Sequence, residues 1–283
     1  MSAPAPLLSI VIPTMNSAGV LGDALRSLAQ QTCRDFEVII SDGASSDATL
    51  AIARDLQAGL PHLLIDSRRD SGVYDAINRG VALSRGEWFL VLGSDDRLHA
   101  STTVAAVAPH LRAGDGAQLV YGDVCMMAGH NGGAAGVRYA GPLSLKRMFR
   151  INICQQSIFY RRTLFDTLGG FHLGYKLYAD WDFNLRAFFR VPVRWIDVVV
   201  ADYAATGMSA NRIDPAFMDA LPGMIRDELI HRIGERELWP LHHHLLRDAN
   251  WMRRRGQPKK AWGLVGAYLR LMAGRVAVLA KRA

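Results

Sequence analysis

Residues 87–98 read EWFLVLGSDDRL, an apolar run from Trp88 to Gly93 that stops at Ser94 and two adjacent carboxylates, Asp95 and Asp96. A short apolar run bounded by turn residues predicts a buried strand. In an open parallel sheet, ligands sit beyond the carboxyl ends of the strands, where acids can hold a divalent cation together with a phosphorylated substrate. Two other strands are predicted to end in the same way. Leu8–Ile12 runs into Pro13, Thr14 and Asn16, and Phe36–Ile40 runs into Ser41, Asp42 and Gly43. Three strand ends with polar side chains predict one site.

Outward from this stretch, β-like runs alternate with helix-like ones: Leu8–Ile12 and Leu21–Gln31, Phe36–Ile40 and Asp47–Gln57, Leu63–Asp66 and Val73–Ser84, Trp88–Leu92 and Thr102–Leu111. That rhythm predicts a mostly parallel, doubly wound α/β sheet. It changes near Leu119. A Gly-rich stretch, Gly129 to Gly136, reads as a hairpin tip or mobile loop between β-like Val120–Met126 and Val137–Tyr139. A strand over Ser157–Tyr160, a helix from Asp180 to Phe189 and strands over Val193–Ile196 and Val198–Tyr203 follow, and the pattern is mainly helical from Asp214. The expected organisation is a catalytic α/β domain over 1–210 and a helical extension over 211–283.

The 283 residues, half of them apolar, suffice for one large or two modest domains, and the net charge of +7 points to an anionic partner. Cys33, Cys125 and Cys154 are odd in number, far apart and without a C-x-x-C pair, which argues against a disulfide framework or zinc knuckle. That cysteine pattern fits a reducing cytoplasm, and the start SAPAPLL, without a basic leader and with its apolar stretch interrupted by Pro13, is not expected to be a signal peptide. The most apolar late segment, Ala261–Ala280, contains Arg270 and Arg275, which are costly at a bilayer centre, so it is not expected to span one.

Asp95 and Asp96 are candidate ligands for Mn²⁺ or Mg²⁺, with Gly93 and Ser94 small enough for a ligand to approach the backbone. Asp42, or the backbone beside it, is placed to receive the N–H of a base, while Ser46 or Asp47 caps the next helix. In RRDSGVYDAINRG, Asp70, Gly72, Asp75 and Asn78 lead into a helix. Asp75 and Asn78 share one face, where they either line a pocket or tether loops. Gly80 and Gly86 read as turn and cap residues. In YADWDFNLR, Asp180 at a helix start is a candidate proton acceptor, and Asp182 is expected to pair with Arg186 on the helix surface. His242, His243 and His244 are consecutive, cannot converge on one ion and are expected at the surface.

Taken in order, VIPTMNSAGVLGDALRSLAQQTCRDFEVIISDGASSDAT, DSGVYDAINRG, RGEWFLVLGSDD, CQQSIFYRR and ADWDFNLR resemble the inverting family 2 glycosyltransferases of GT-A fold, across roughly residues 7 to 210. The resemblance implies a Rossmann-like mixed, mostly parallel sheet flanked by helices, with a C-terminal helical extension. It implies nucleotide binding by Pro13, Thr14, Asn16, Asp42, Asp70 and Ser94, and a metal held by Asp95 with Asp96. Asp180 becomes the base. Asp75, Asn78, Gln155, Gln156 and Trp181 are placed at the donor or acceptor cleft, and Thr206, Gly207, Met208 and Ser209 resemble a loop that closes over the donor. Two positions depart from the family pattern. Gly93 stands where the first acid of D-x-D belongs, and Ala179 replaces the Glu of an acidic pair.

The implied partners are a nucleotide-sugar donor, favouring UDP, and a glycan or lipid-linked glycan acceptor, in cell-surface polysaccharide synthesis. A nucleotidyltransferase is the rival enzyme, but PTMNSAG offers no Lys or Arg to grip a triphosphate. A nucleotide-sugar-binding protein that has lost catalysis is the other alternative. Nucleic acid is not expected, because the positive charge is concentrated late. At about 100° per residue, Lys259, Lys260, Arg270, Arg275, Lys281 and Arg282 share one side of the last helix, and Trp262, Val265, Leu269, Met272, Val276 and Leu279 share the other. This predicts either an interfacial helix on an anionic membrane surface, peripheral on the inner face, or an apolar face packed on the catalytic domain or on a second copy in a homodimer.

Overall fold

The computed structural model of the chain describes residues 4–127, 135–139, 141–204 and 212–280. The chain divides into two compact units, Met1–Ile213 and Asp214–Ala283.

The first unit is built on one mixed sheet. Strand β1 (Leu8–Thr14) lies parallel between β2 (Phe36–Asp42) and β4 (Trp88–Val91), and β3 (Leu63–Ser67) extends the parallel part beyond β2. The register sets Thr14 opposite Asp42 and Val11 opposite Val91, so three strands deliver their ends to the same edge. These strands are continuous apolar runs because both faces are covered; Ile10, Ile12, Phe36, Val38, Ile40 and Leu90 are fully buried. Each such side chain contributes about 1.5–3 kcal/mol on burial.

Helices α1 (Leu21–Ala29), α2 (Thr49–Asp55), α3 (Val73–Leu83) and α4 (Thr103–Leu111) supply the crossovers. Gly80 is not a turn residue. It sits inside α3 where a Cβ would collide with the Val11 side chain, so its absence lets α3 settle onto β1. Gly86 does occupy a turn, with Ser9 Oγ 2.6 Å from where its Cβ would be.

Beyond β4 the sheet becomes antiparallel. Strand β8 (Ile158–Arg161) pairs with β4 and with β6 (Leu119–Met126), β7 (Arg138–Tyr139) pairs with β6, and β5 (Arg97–Leu98) closes the far edge on β9 (Val193–Tyr203). The loop expected between β6 and β7 lies largely outside the described residues. The two strands expected around Asp197 are one, β9, which runs parallel to β6 with register shifts at Asp123. Gly122 permits this irregularity, since a Cβ there would meet the Val198 carbonyl. Short helices α5 (Leu145–Met148) and α6 (Arg162–Leu168) precede α7 (Ala179–Arg190).

The second unit is helical: α8 (Pro215–His231), α9 (His243–Arg254) and α10 (Pro258–Ala280). The expected surface placement of the histidines is overturned for His242 and His244, which are buried. His242 falls on the same stripe as Leu245, Ala249 and Met252, so the face that packs α9 carries it inward. Burial, with Arg275 and His243 nearby, pushes the His242 imidazole down to about 4.

Candidate active site

The loop after β1 is stapled to the loop after β2. Asp42 is fully buried and accepts from Thr14 Oγ1 (3.0 Å), Ser45 N (2.8 Å), Ser45 Oγ (2.5 Å) and Ser67 Oγ (2.7 Å). Burial opposes its charge, but the hydrogen bonds from Ser45, Ser67 and Thr14 outweigh it and hold the carboxyl below its ordinary range. Asn16, at φ 51°, donates its N–H to Ser45 Oγ (2.8 Å) and accepts Ser46 N–H (2.9 Å). Asp47 accepts from Ala18 N (3.1 Å) and from Thr49 N (3.0 Å) at the entrance of α2, whose N-cap is Ala48 rather than the expected Ser46 or Asp47. Pro13 pairs in register with Ser41 below this junction. Ser94 reaches the same loop, its hydroxyl 3.0 Å from Ser17 Oγ.

Asp70 closes against Gly43, whose Cβ would lie 2.7 Å from Asp70 Oδ2. It accepts from Gly72 N (3.0 Å) and stands 3.7 Å from Arg79 Nη2, and Arg79 in turn donates to the carbonyls of Arg68 (3.1 Å) and Asp42 (3.3 Å). Asp75 and Asn78 act as tethers. Asp75 accepts both Ser71 N (2.9 Å) and Ser71 Oγ (3.0 Å), and Asn78 exchanges two 2.9 Å bonds with the Phe171 backbone.

At the end of β4, Asp95 and Asp96 fold back over Gly93. A Cβ at Gly93 would lie 2.6 Å from Asp96 Oδ2 and 2.9 Å from Asp95 Oδ1, so the missing first acid is a steric consequence of where the other two sit. Asp96 is buried, and its Oδ1 accepts Ala204 N at 3.0 Å. Burial, with the adjacent Asp95 charge, pushes the Asp96 carboxyl up to about 7 against the pull of the Ala204 N–H. Replacing Gly93 by Ala should cost about 1–3 kcal/mol of stability through overpacking and weaken the Mn²⁺-dependent rise in melting temperature. An unchanged denaturation midpoint with unchanged Mn²⁺ response would show that the carboxylates do not need this gap.

Asp180 enters from the start of α7. Its Oδ1 lies 2.7 Å from Tyr74 Oη and its Oδ2 accepts Asn152 Nδ2 at 2.5 Å. Burial pushes the carboxyl up to about 6 even though Tyr74 and Asn152 favour the charged form. Behind it, Tyr160 Oη donates to Asn184 Oδ1 (2.9 Å) and Asn184 Nδ2 donates to Asn152 Oδ1 (2.8 Å). Tyr74, Asn152, Asn184 and Tyr160 were not among the expected site residues. Tyr74 and Asn152 did lie in or beside quoted motifs, DSGVYDAINRG and CQQSIFYRR.

The two groups of acids share a neighbourhood. Cys154, just before a 3-10 turn at Gln155–Ser157, is pushed up to about 12 by burial and then by the charges of Asp96, Asp180 and Asp123. Tyr203 is likewise raised to about 12 by burial, with Cys154, Asp96, Asp95 and Asp180 adding to it. Asp96 and Asp180 thus act on both the thiol and the phenol, and Asp95 acts on the phenol, which gathers the three acids around Cys154 and Tyr203. Gln155 Nε2 is buried there without a hydrogen-bond partner among the described residues, and the buried Gln156 amide is turned toward the Asp96 carboxyl, whose charged form it favours.

Trp181 is a wall. It is buried, and its indole N–H donates to the Met148 carbonyl at 2.7 Å. Asp182 does pair with Arg186 (2.8 Å), but in the interior rather than on the surface, because Arg186 also donates to the carbonyls of Leu168 and Gly170 and lies over the Phe183 ring. Thr206, Gly207, Met208 and Ser209 lie outside the described residues.

A separate cluster, His99, Cys125 and Asp202, holds ligand-type atoms within 4.8 Å of one another. Asp202 Oδ2 accepts Arg97 Nε at 2.9 Å and Oδ1 lies 2.6 Å from His99 Nδ1. Both Asp202 oxygens are thus engaged, and the Arg97–Asp202 pair ties β5 to β9.

A mixed, mostly parallel sheet flanked by helices, with acids at the carboxyl edge of its parallel strands, is the GT-A glycosyltransferase fold. Within that class the chain belongs to glycosyl transferase family 2, whose model matches residues 9–166. It is 46% identical over 223 residues to a PGL/p-HBAD biosynthesis glycosyltransferase of Mycobacterium bovis, covering 77% of this chain and 85% of the relative. It is 28% identical over 277 residues to the uncharacterized glycosyltransferase YwdF of Bacillus subtilis, covering 93% and 98%. Among solved structures, S. aureus TarS 1-349 in complex with UDP-GlcNAc matches with a TM-score of 0.68 at 18% identity, covering 96% of this chain and 88% of that one. The mannosyltransferase PcManGT from Pyrobaculum calidifontis, in complex with GDP-Man and Mn²⁺, matches at 0.59 and 18% identity, covering 97% and 81%.

Proposed function

We propose that this enzyme transfers a sugar from a nucleotide diphosphate donor, a UDP-sugar being favoured, to a hydroxyl of a glycan or lipid-linked glycan, with inversion, in cell-surface polysaccharide synthesis. The observation that carries this reading is the approach of two unlike acidic sites to the segments around Cys154 and Tyr203: Asp95 with Asp96 at a strand end, where Asp96 accepts Ala204 N–H, and Asp180 at a helix start, where it accepts Asn152 Nδ2. One is suited to a cation and the other to a proton. The UDP-GlcNAc of TarS, the structure of higher TM-score, supports the donor class, and the M. bovis relative supports glycosyl transfer within a biosynthetic route.

The nucleotide lies at the junction of the loops carrying Pro13, Thr14, Asn16, Asp42, Asp70 and Ser94. Because the Asp42 carboxylate is saturated by hydroxyls and the Ser45 N–H, its part is to hold the loops, and the backbone beside it meets the base. Asp95 and Asp96 are the residues that would hold Mn²⁺ or Mg²⁺. The fit rests on a buried carboxyl raised to about 7 beside a second carboxylate, a pair that a divalent cation would neutralise. Such an ion, when bound, offsets charge developing on a leaving diphosphate. The buried Gln155 amide offers an N–H donor to the sugar or its phosphates, while the Gln156 amide supports the Asp96 carboxylate. Asp180 takes the proton of the acceptor hydroxyl, and Tyr74 and Asn152 aim its two oxygens.

A melting-temperature screen of UDP, GDP, ADP and CDP, each with and without Mn²⁺, tests the donor class. Ligand at about 100 times its Kd should stabilise by about 2.7 kcal/mol. Donor hydrolysis with Mn²⁺ should accompany the largest shift. A chain that no nucleoside diphosphate stabilises, with or without Mn²⁺, would overturn the reading.

A further inference from the structure

Helix α10 is docked along one seam and bare along the other. Ala261, Leu264, Ala267 and Leu271 are buried within the helical unit, where α10 packs on α8 and α9. On the opposite side, at about 100° per residue, Trp262, Leu269 and Val276 are 74%, 61% and 67% exposed. The apolar side expected from sequence is therefore the one left uncovered, and the buried seam runs through the sector that holds Lys260 and Arg275. A contiguous row of bare Trp, Leu and Val marks a surface that meets something.

Two features identify what it meets. The 23-residue helix is long and apolar enough to cross a membrane by length and composition, yet Arg270 lies at its middle and its buried seam is committed to its own unit. It can lie along a bilayer without crossing it. After Asp248 the chain carries nine Lys and Arg and no Asp or Glu. Arg253, Arg254, Lys259, Lys260 and Arg270 are exposed. Arg275, about 40° round the helix from Leu279, lies over the Trp239 ring at 4.7 Å, with Arg236 over the same ring at 5.5 Å. His243 completes a cleft there that no acidic side chain lines. A second copy of the chain would set this positive field against itself, whereas an anionic lipid surface complements it and accepts the Trp-bearing row.

We propose that the exposed face of α10 seats the protein on an anionic bilayer, with Trp262, Leu269 and Val276 below the headgroups and the basic residues among the phosphates. The claim does not depend on the transferase reading, because attachment is measured without donor or acceptor. The full chain should co-sediment with phosphatidylcholine vesicles containing phosphatidylglycerol at low salt, release at high salt, and stay in solution with phosphatidylcholine alone. The double variant Leu269→Glu, Val276→Glu should bind about a hundredfold more weakly, given the apolar area it removes, while keeping the circular dichroism and melting temperature of the parent. Full-strength binding by that folded variant would overturn the proposal. So would a parent that ignores anionic vesicles but forms a dimer that the double variant dissociates, which would assign the face to a second copy.

Discussion

Asp180→Asn should bind nucleotide as well as the parent and turn over about 10²–10⁴-fold more slowly, the usual contribution of a positioned base. The asparagine keeps the shape and can still meet Tyr74, so a change in KM for the donor is not expected. The pH profile gives a second readout. Burial raises the Asp180 carboxyl to about 6, and only its ionised form accepts a proton. The parent rate should therefore rise with pH through about 6 and level off above it, and the variant should lose that limb. Stability should move the other way. Between the ordinary carboxyl value of 3.8 and about 6, the folded chain keeps a proton that the unfolded chain has released, so Asp180 lowers stability as pH rises across this window. The cost above pH 6 is at most about 3 kcal/mol at 1.36 kcal/mol per unit. Asp180→Asn should thus melt higher than the parent at pH 8 and close to it at pH 4. Near-normal turnover with an unchanged pH profile would remove Asp180 from the chemistry.

The second large effect is expected at Asp95. Asp95→Ala should abolish Mn²⁺-dependent turnover, a loss of about 10³-fold or more if charge on the leaving group goes unmet. It should also erase the Mn²⁺-dependent part of the nucleotide thermal shift, which separates a lost cation from a lost nucleotide. Asp96 is the more deeply seated of the two and anchors Ala204 through its N–H. Asp96→Ala should therefore lower stability as well as activity. Full activity in Asp95→Ala would refute the assignment, and a larger catalytic loss in Asp96→Ala would move the principal ligand by one residue.

Much of this site is visible in the chain because apolar runs stop abruptly on polar residues. Leu8–Thr14, Phe36–Asp42 and Trp88–Val91 are buried strands, and their register brings Thr14, Asp42 and the Asp95 loop to one edge, a placement that parallel pairing imposes. What stayed hidden depends on distant partners. Tyr74 meets Asp180 across 106 residues, and no periodicity reports such a contact. Gly80 looked like punctuation because Val11, which it makes room for, is remote in sequence. His242 looked like surface because a histidine triplet is polar, although its position continues the apolar stripe of α9. The last helix carries apolar residues in its basic sector as well, Ala261, Leu264, Ala267 and Leu271 among them, so amphipathicity could not say which side would be covered. Asp182 and Arg186 were correctly paired by spacing, but spacing carries no information about depth.

The file of side chains behind Asp180 has a direction. Tyr160 donates to Asn184, Asn184 to Asn152 and Asn152 to Asp180, every N–H and O–H pointing the same way. Carboxamides aligned like this polarise one another and present a positive end to the carboxylate. They do not pass protons along. In the proposed reaction, a proton taken up by Asp180 is therefore not handed inward along this file; its other neighbour is the Tyr74 hydroxyl, whose oxygen also lies 2.6 Å from the Leu177 carbonyl. On the proposed mechanism, the base is then a half-cell with a single terminal: it recharges only from the side that faces substrate, so its regeneration is tied to the departure of product.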